Sequence, residues 1–102
     1  MKTLAQIREQ LAAGQFDFSR HAFKRAIERN ISEEEVRTAG VQVEIIEEYP
    51  EDKYSPSVLM LGFTSVGRPL HIQVSSADSE VTRIITLYEP DPSEWAEYRK
   101  RR

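Results

Sequence analysis

The chain contains no cysteine. A disulfide scaffold, a cysteine nucleophile, a thiolate zinc site and an iron–sulfur cluster are excluded by that absence. The composition fits a reducing compartment, and the expectation is a cytoplasmic protein. Long hydrophobic runs are missing too. The longest, Val58-Leu59-Met60-Leu61, is far short of the ~20 residues that span a bilayer, so no membrane role is expected. Met1-Lys2-Thr3-Leu4 is not followed by the apolar core of a secretion signal, which makes the sequon Asn30-Ile31-Ser32 a chance match. The four glycines are isolated, so no phosphate-cradling loop is present. The two histidines, His21 and His71, lie far apart in sequence, and no metal-ligand spacing occurs. Neither a metal nor another cofactor is expected.

What is present is one domain's worth of chain, 102 residues with 39% hydrophobic and 30% charged side chains. The net charge of −3 is unevenly spread. Glu33 to Asp52 holds eight acids against one base, Arg37, and the remainder is net basic. An acidic belt and a basic remainder on one small domain leave room for a local anion site.

Boundaries along the chain are well punctuated. Thr3 with Gln6 forms a capping box for a helix over about 4–13. Phe16-Asp17-Phe18 is a short extended entry. Ser19 caps a helix over 20–29, with Phe18 and Phe23 patterned as a hydrophobic staple. Ser32 and Glu35 box a third helix over 33–39. The periodicity then changes to that of strands, expected at about 43–49, 57–64, 69–75 and 81–88. Asp91-Pro92-Ser93-Glu94 opens a final helix over 92–100 that ends in Arg99-Lys100-Arg101-Arg102. The turns between strands are short, so neighbours should pair antiparallel. The expected fold is a single α+β domain over 1–102. It has N-terminal helices, a four-stranded antiparallel sheet and a C-terminal helix.

Two elements carry candidate chemistry. On the second helix Ala22, Phe23, Ala26 and Ile27 form an apolar arc expected to face the sheet. His21, Arg25 and Arg29 recur every fourth residue and make one cationic stripe. On the third strand Leu70, Ile72 and Val74 should face the helices and His71, Gln73 and Ser75 the other side. Matching apolar positions pairs Leu70 with Leu87 and Ile72 with Ile85. That register sets His71 opposite Thr86, with Tyr88 on the same face and Arg68 at the strand's start. A histidine beside a hydroxyl, a phenol and an arginine has the parts for acid–base work on a phosphate. The bland alternatives are a solvated salt-bridge face on the helix and an ordinary polar outer face on the sheet.

Phe18-Ser19-Arg20-His21-Ala22, Arg25, Glu28-Arg29 and Ile31-Ser32 form one block. Gly67-Arg68-Pro69-Leu70-His71, Ile85-Thr86-Leu87-Tyr88, Pro90-Asp91 and Trp95 form a second. Together, in this order, they resemble the small bacterial proteins grouped as domain of unknown function 4258. That family is similar in plan to the RelE/ParE-like and barnase-like toxin folds. The likeness implies a metal-independent endoribonuclease-like toxin of a toxin–antitoxin system, with RNA and an antitoxin protein as partners. In that reading His21 and His71 exchange the proton roles, and Arg25, Arg29 and Arg68 hold the phosphate. Tyr88 and Thr86 orient the site. The acidic balance and scarcity of lysine, with only Lys2, Lys24, Lys53 and Lys100, favour a rival. That rival is a non-catalytic protein-interaction module using the acidic belt or the basic C-terminal tail.

Overall fold

A computed structural model describes all 102 residues. The elements in chain order are α1 (Leu4–Ala12), β1 (Phe16–Phe18), α2 (Arg20–Glu28), α3 (Glu33–Gly40), β2 (Glu44–Tyr49), β3 (Ser57–Phe63), β4 (Pro69–Ser75), β5 (Thr82–Tyr88), β6 (Trp95–Ala96) and β7 (Lys100–Arg101). The first five strands of the chain form one sheet in the order β1-β5-β4-β3-β2. All neighbours are antiparallel except β1, which runs parallel to β5. The architecture is mixed α+β with three helices and a mostly antiparallel five-stranded sheet.

The caps work as the sequence predicts. Thr3 with Gln6 and Ser32 with Glu35 close reciprocal capping boxes, and the Ser19 hydroxyl accepts from the Ala22 amide. The helices pack on one face of the sheet. Ile7, Leu11, Val36 and Ala39 meet Val58, Met60, Leu70, Ile72, Val74, Ile84 and Leu87 in a single buried cluster. Each large aliphatic side chain fully buried there contributes roughly 1.5–3 kcal/mol.

Two expectations about the elements need correction. Phe16–Phe18 is a fifth strand, too short for a period of two to show, and it is held by backbone pairing to Thr82–Ile84. The expected helix over 92–100 is a two-stranded hairpin, β6 with β7. Asp91 does start a single turn, its carbonyl accepting from Glu94 and Trp95 and its carboxylate from the Ser93 amide. The chain then reverses through Glu97 and Tyr98, which have φ of 53° and 63°, and the Arg99 amide closes on the Ala96 carbonyl at 2.9 Å. Positive φ at both central residues is the mark of a tight hairpin turn of the mirror-image kind, usually built from Asn and Gly.

The register of β4 on β5 also differs from expectation. His71 pairs with Tyr88, Ile72 with Leu87 and Gln73 with Thr86, and a shift then brings Val74 opposite Ile84. The slip is by two residues at His71, so face assignments survive there. The irregularity exchanges Ile84 for Ile85 in the core: Ile84 is fully buried and Ile85 half-buried.

Candidate functional site

His71 lies on the face of the sheet turned away from the helices, since its neighbours Leu70 and Ile72 belong to the helix-side core. It is completely buried. The C-terminal hairpin covers it, with the Trp95 ring edge-on at 4.5 Å and the Tyr88 ring at 5.2 Å. Nε2 donates to the Tyr98 carbonyl at 2.6 Å, which leaves Nδ1 to accept from the Tyr88 hydroxyl at 3.2 Å. Burial pulls the imidazole pKa below its ordinary value, opposed by the Tyr98 carbonyl and the Glu47 carboxylate. The same burial raises the Tyr88 phenol. His71 is a neutral ring with both nitrogens engaged.

His21 is exposed on α2, a helix whose Ala22 and Ala26 pack into the core on the opposite face. The sheet therefore stands between the two imidazoles. The expected convergence of His21 and His71 on one phosphate does not form, because general acid and base must both lie within hydrogen-bond reach of the reacting group.

Arg68 differs from expectation as well. Its guanidinium donates to the carbonyls of Arg29 at 2.9 Å and Asn30 at 3.0 Å, to Glu35 at 3.0 Å and to Glu89 at 2.8 Å. Hydrogen bonding to Glu89, with Glu35 adding to it, raises its pKa further. This arginine ties the C-terminal end of α2 to α3 and to the segment after β5, and its donors are spent on protein partners. Arg25 pairs with Glu28 at 2.8 Å on the helix surface. Arg29 is exposed without a carboxylate partner, and its guanidinium carbon stands 5.7 Å from the centre of the Tyr88 ring. The cleft there, about 430 Å³, also holds Glu89, Asp91 and Glu94, which oppose an incoming anion. Thr86 is half-buried beside Gln73. The structure thus brings Arg29, Tyr88 and His71 into one chain of contacts. It places His21 and Arg25 on the outer side of α2 and Arg68 in a structural clamp.

The acidic belt and the basic tail bind each other. Arg99 pairs with Glu44, and Arg101 with Glu47 at 2.9 Å while stacking on Trp95 at 4.6 Å. Glu47 is held below the usual carboxylate range first by the Arg101 hydrogen bond. Further along this face the Ser57 hydroxyl donates to Asp52 at 2.7 Å and accepts from the Gln73 amide at 3.0 Å. No buried side-chain polar atom is left without a partner, and no cluster of three or more potential metal-ligating side chains forms. No helix is long and apolar enough to cross a membrane.

One feature of α2 escapes the sequence reading. Of its apolar arc, Ala22 and Ala26 are buried, whereas Phe23 is 58% and Ile27 65% exposed. The two alanines let the helix sit close on β5, and the larger pair turns outward. With Phe18, Ala26 and Ile31 they line a groove of about 350 Å³ that is apolar along α2 and polar at its far end, where Asn30, Ser32 and Glu33 close it. At helical spacing Arg20 and Lys24 fall immediately beside Phe23 and Ile27 on the solvent side. The sequence signal was the alternation of small and large residues within the arc.

A search of curated proteins and a search of solved structures each find no match. A family model described as a domain of unknown function, DUF4258, matches residues 18–89, from the end of β1 through the residue after β5. By that match, which spans well over half of its length, the chain belongs to the DUF4258 family.

Proposed function

We propose that the protein is a non-catalytic interaction module that docks an acidic, amphipathic segment of a partner protein on α2. The observation that carries this reading is the pair of large apolar side chains, Phe23 and Ile27, left in solvent side by side on α2. Covering them gains the apolar term, and Arg20 and Lys24 beside them select acidic flanks. The surfaces differ from those expected from sequence, since the acidic belt and the basic tail neutralise each other.

The test places a photoreactive amino acid at position 23 in the producing cells, with position 54 as an exposed control. The expected result is a discrete adduct with an acidic protein, lost on Ile27→Asp and weakened by salt. Equal labelling from both positions, or an adduct only with a second copy of this chain, overturns the reading.

A second reading, an RNA-directed toxin, draws on Arg29 over Tyr88 and on His21 and Arg25 in the same helical stripe. It has no buried acid–base pair to rely on and would place exposed His21 at the RNA. Growth arrest on induced expression, with RNA cleavage by the purified protein that is lost in His21→Ala and Arg29→Ala, would decide for it and against docking alone.

A further inference from the structure

A cleft of about 740 Å³ opens where β2 begins and β3 ends, on the side of the molecule that carries the C-terminal hairpin. Arg8 of α1 lines it, together with Val41 after α3, Phe63 of β3, Thr64 and Ser65 of the following turn, and Arg99. None of these residues belongs to α2 or to the contacts around His71.

Arg8 is the unusual member. Its Nε donates to the Val43 carbonyl at 2.9 Å, which fixes the plane of the guanidinium, and the side chain is half-buried. It has no carboxylate within ion-pair distance. The other half-buried arginines, Arg25 and Arg68, both have one. Sinking a guanidinium partly out of water without a counter-ion is unfavourable, and an oriented fork with free Nη groups suits a phosphate or carboxylate. Arg99 adds a second positive charge to the same cleft while one of its Nη groups holds Glu44. The Glu44 carboxylate and the carbonyl end of α3, roughly half a charge, work against an anion. Two guanidiniums outweigh them. Beside the cations lies an apolar plate, with Phe63 43% and Val41 54% exposed. The exposed Ser65 hydroxyl supplies a hydrogen-bonding group at its margin, while the buried Thr64 hydroxyl accepts from the Arg68 amide at 3.0 Å.

We propose that this cleft binds a nucleoside monophosphate. The phosphate lies on the Arg8 fork with Arg99 adding charge, the planar base lies on Phe63, and the sugar hydroxyls meet Ser65. The volume suits a ligand of that size. Each element of the site answers one part of the ligand: the oriented cation the phosphate, the exposed aromatic the base.

The test is an NMR titration of the full chain with adenosine monophosphate, adenosine and inorganic phosphate as separate probes at millimolar concentration. Adenosine monophosphate is expected to shift the amides of Val41, Thr64 and Ser65 and the Nε signal of Arg8. Either half alone should bind at least about tenfold more weakly. Arg8→Gln should weaken nucleotide binding by about tenfold or more, and Lys100→Gln, outside the cleft, should not. Arg8→Gln also removes a bond to Val43, so Phe63→Ser provides a second loss-of-binding variant, with thermal melts to verify folding. The absence of nucleotide-dependent shifts, shifts confined to α2, unchanged binding in Arg8→Gln and Phe63→Ser, or inorganic phosphate binding as well as the nucleotide would each overturn the proposal. Apart from shifts at α2 itself, these results do not bear on docking there, which is a separate surface.

Discussion

The buried ring of His71 holds the carbonyl of Tyr98, a residue forced to positive φ, at 2.6 Å. The bond joins the middle of the sheet to the tip of the C-terminal hairpin. It explains how a turn lacking both Asn and Gly is kept in a conformation that L-residues avoid at roughly 1–2 kcal/mol each. Replacing His71 by Phe fills the space but leaves the Tyr98 carbonyl and the Tyr88 hydroxyl without this partner. A loss of about 2–4 kcal/mol is expected, since an abandoned buried polar group costs about 1–3 kcal/mol. Urea denaturation measures it, and amide exchange should show residues 95–101 released first.

The same ring gives the fold a pH dependence of definite sign. Burial keeps the folded imidazole pKa below the ordinary 6.5. Above that value both folded and unfolded chains are neutral at this site and its contribution to stability is complete. As pH falls below 6.5 the unfolded chain takes up a proton first, so stability declines until the folded pKa is passed. The slope in that window approaches 1.4 kcal/mol per pH unit at most. Glu35 and Glu47 have carboxyl pKa values held low, Glu35 chiefly by the Ser32 amide and Glu47 chiefly by Arg101. Their contributions are present above the ordinary carboxylate pKa near 4.5 and fade as pH falls below it. Denaturation midpoints at pH 7.5, 6 and 5 should therefore fall in the wild type and flatten in His71→Phe.

The caps, the first three helices and strands β2 to β5 were legible because each is a local signal: Thr3, Ser19 and Ser32 at N-caps, and alternation in Leu70–Ser75. The inward and outward assignment of β4 was legible for the same reason. The hairpin was not. Asp91-Pro92-Ser93-Glu94 does start a helical turn, and nothing local announces that Glu97 and Tyr98 will reverse it, because the cause is the distant His71. The two-histidine site failed for a related reason. Periodicity sets His71 on the face turned from the helices, so convergence required α2 to reach around the sheet edge; instead Ala22 and Ala26 hold α2 on the helix side and the C-terminal hairpin covers His71, and both are set by tertiary packing. In sequence Arg68 looks like a free cation because its partners Glu35, Glu89 and the end of α2 are far from it along the chain. The outward turn of Phe23 and Ile27 depends on how closely Ala22 and Ala26 let the helix approach, which is a matter of packing.

Arg68 should behave as a structural clamp. Arg68→Ala strips donors from the carbonyls of Arg29 and Asn30 and leaves two carboxylates unpaired. A loss of about 2–3 kcal/mol is expected from charge-assisted bonds in a partly buried setting. Arg68→Lys should recover little, because one ammonium cannot serve partners spread around a planar fork. Thermal denaturation of both variants checks this, and a lysine variant of wild-type stability would contradict it.

Gly62 marks where α3 presses on β3. A Cβ at this position would stand 2.7 Å from the Ala39 carbonyl oxygen and 2.9 Å from Val43 Cγ1. The first of these is backbone and cannot rotate away. Gly62→Ala should lower stability by about 1–3 kcal/mol through overpacking, and a crystal structure of the variant should show α3 displaced from the sheet.

Relief of the hairpin turn provides the opposite test. Glu97 has φ of 53°, its side chain is exposed, and it makes no hydrogen bond or ion pair. Asparagine accepts that backbone conformation far more readily than glutamate does, so Glu97→Asn should stabilise the fold by roughly 0.5–1 kcal/mol. Tyr98→Gly relieves the neighbouring position in the same way but discards the edge contact between Tyr98 and Phe63, whose ring centroids are 6.3 Å apart. Its expected effect is a net loss. If the turn conformation limits stability, the two variants must shift the melting temperature in opposite directions. A fall in both would mean that the hairpin gains nothing from a relaxed turn and that the Glu97 side chain has a role in holding it.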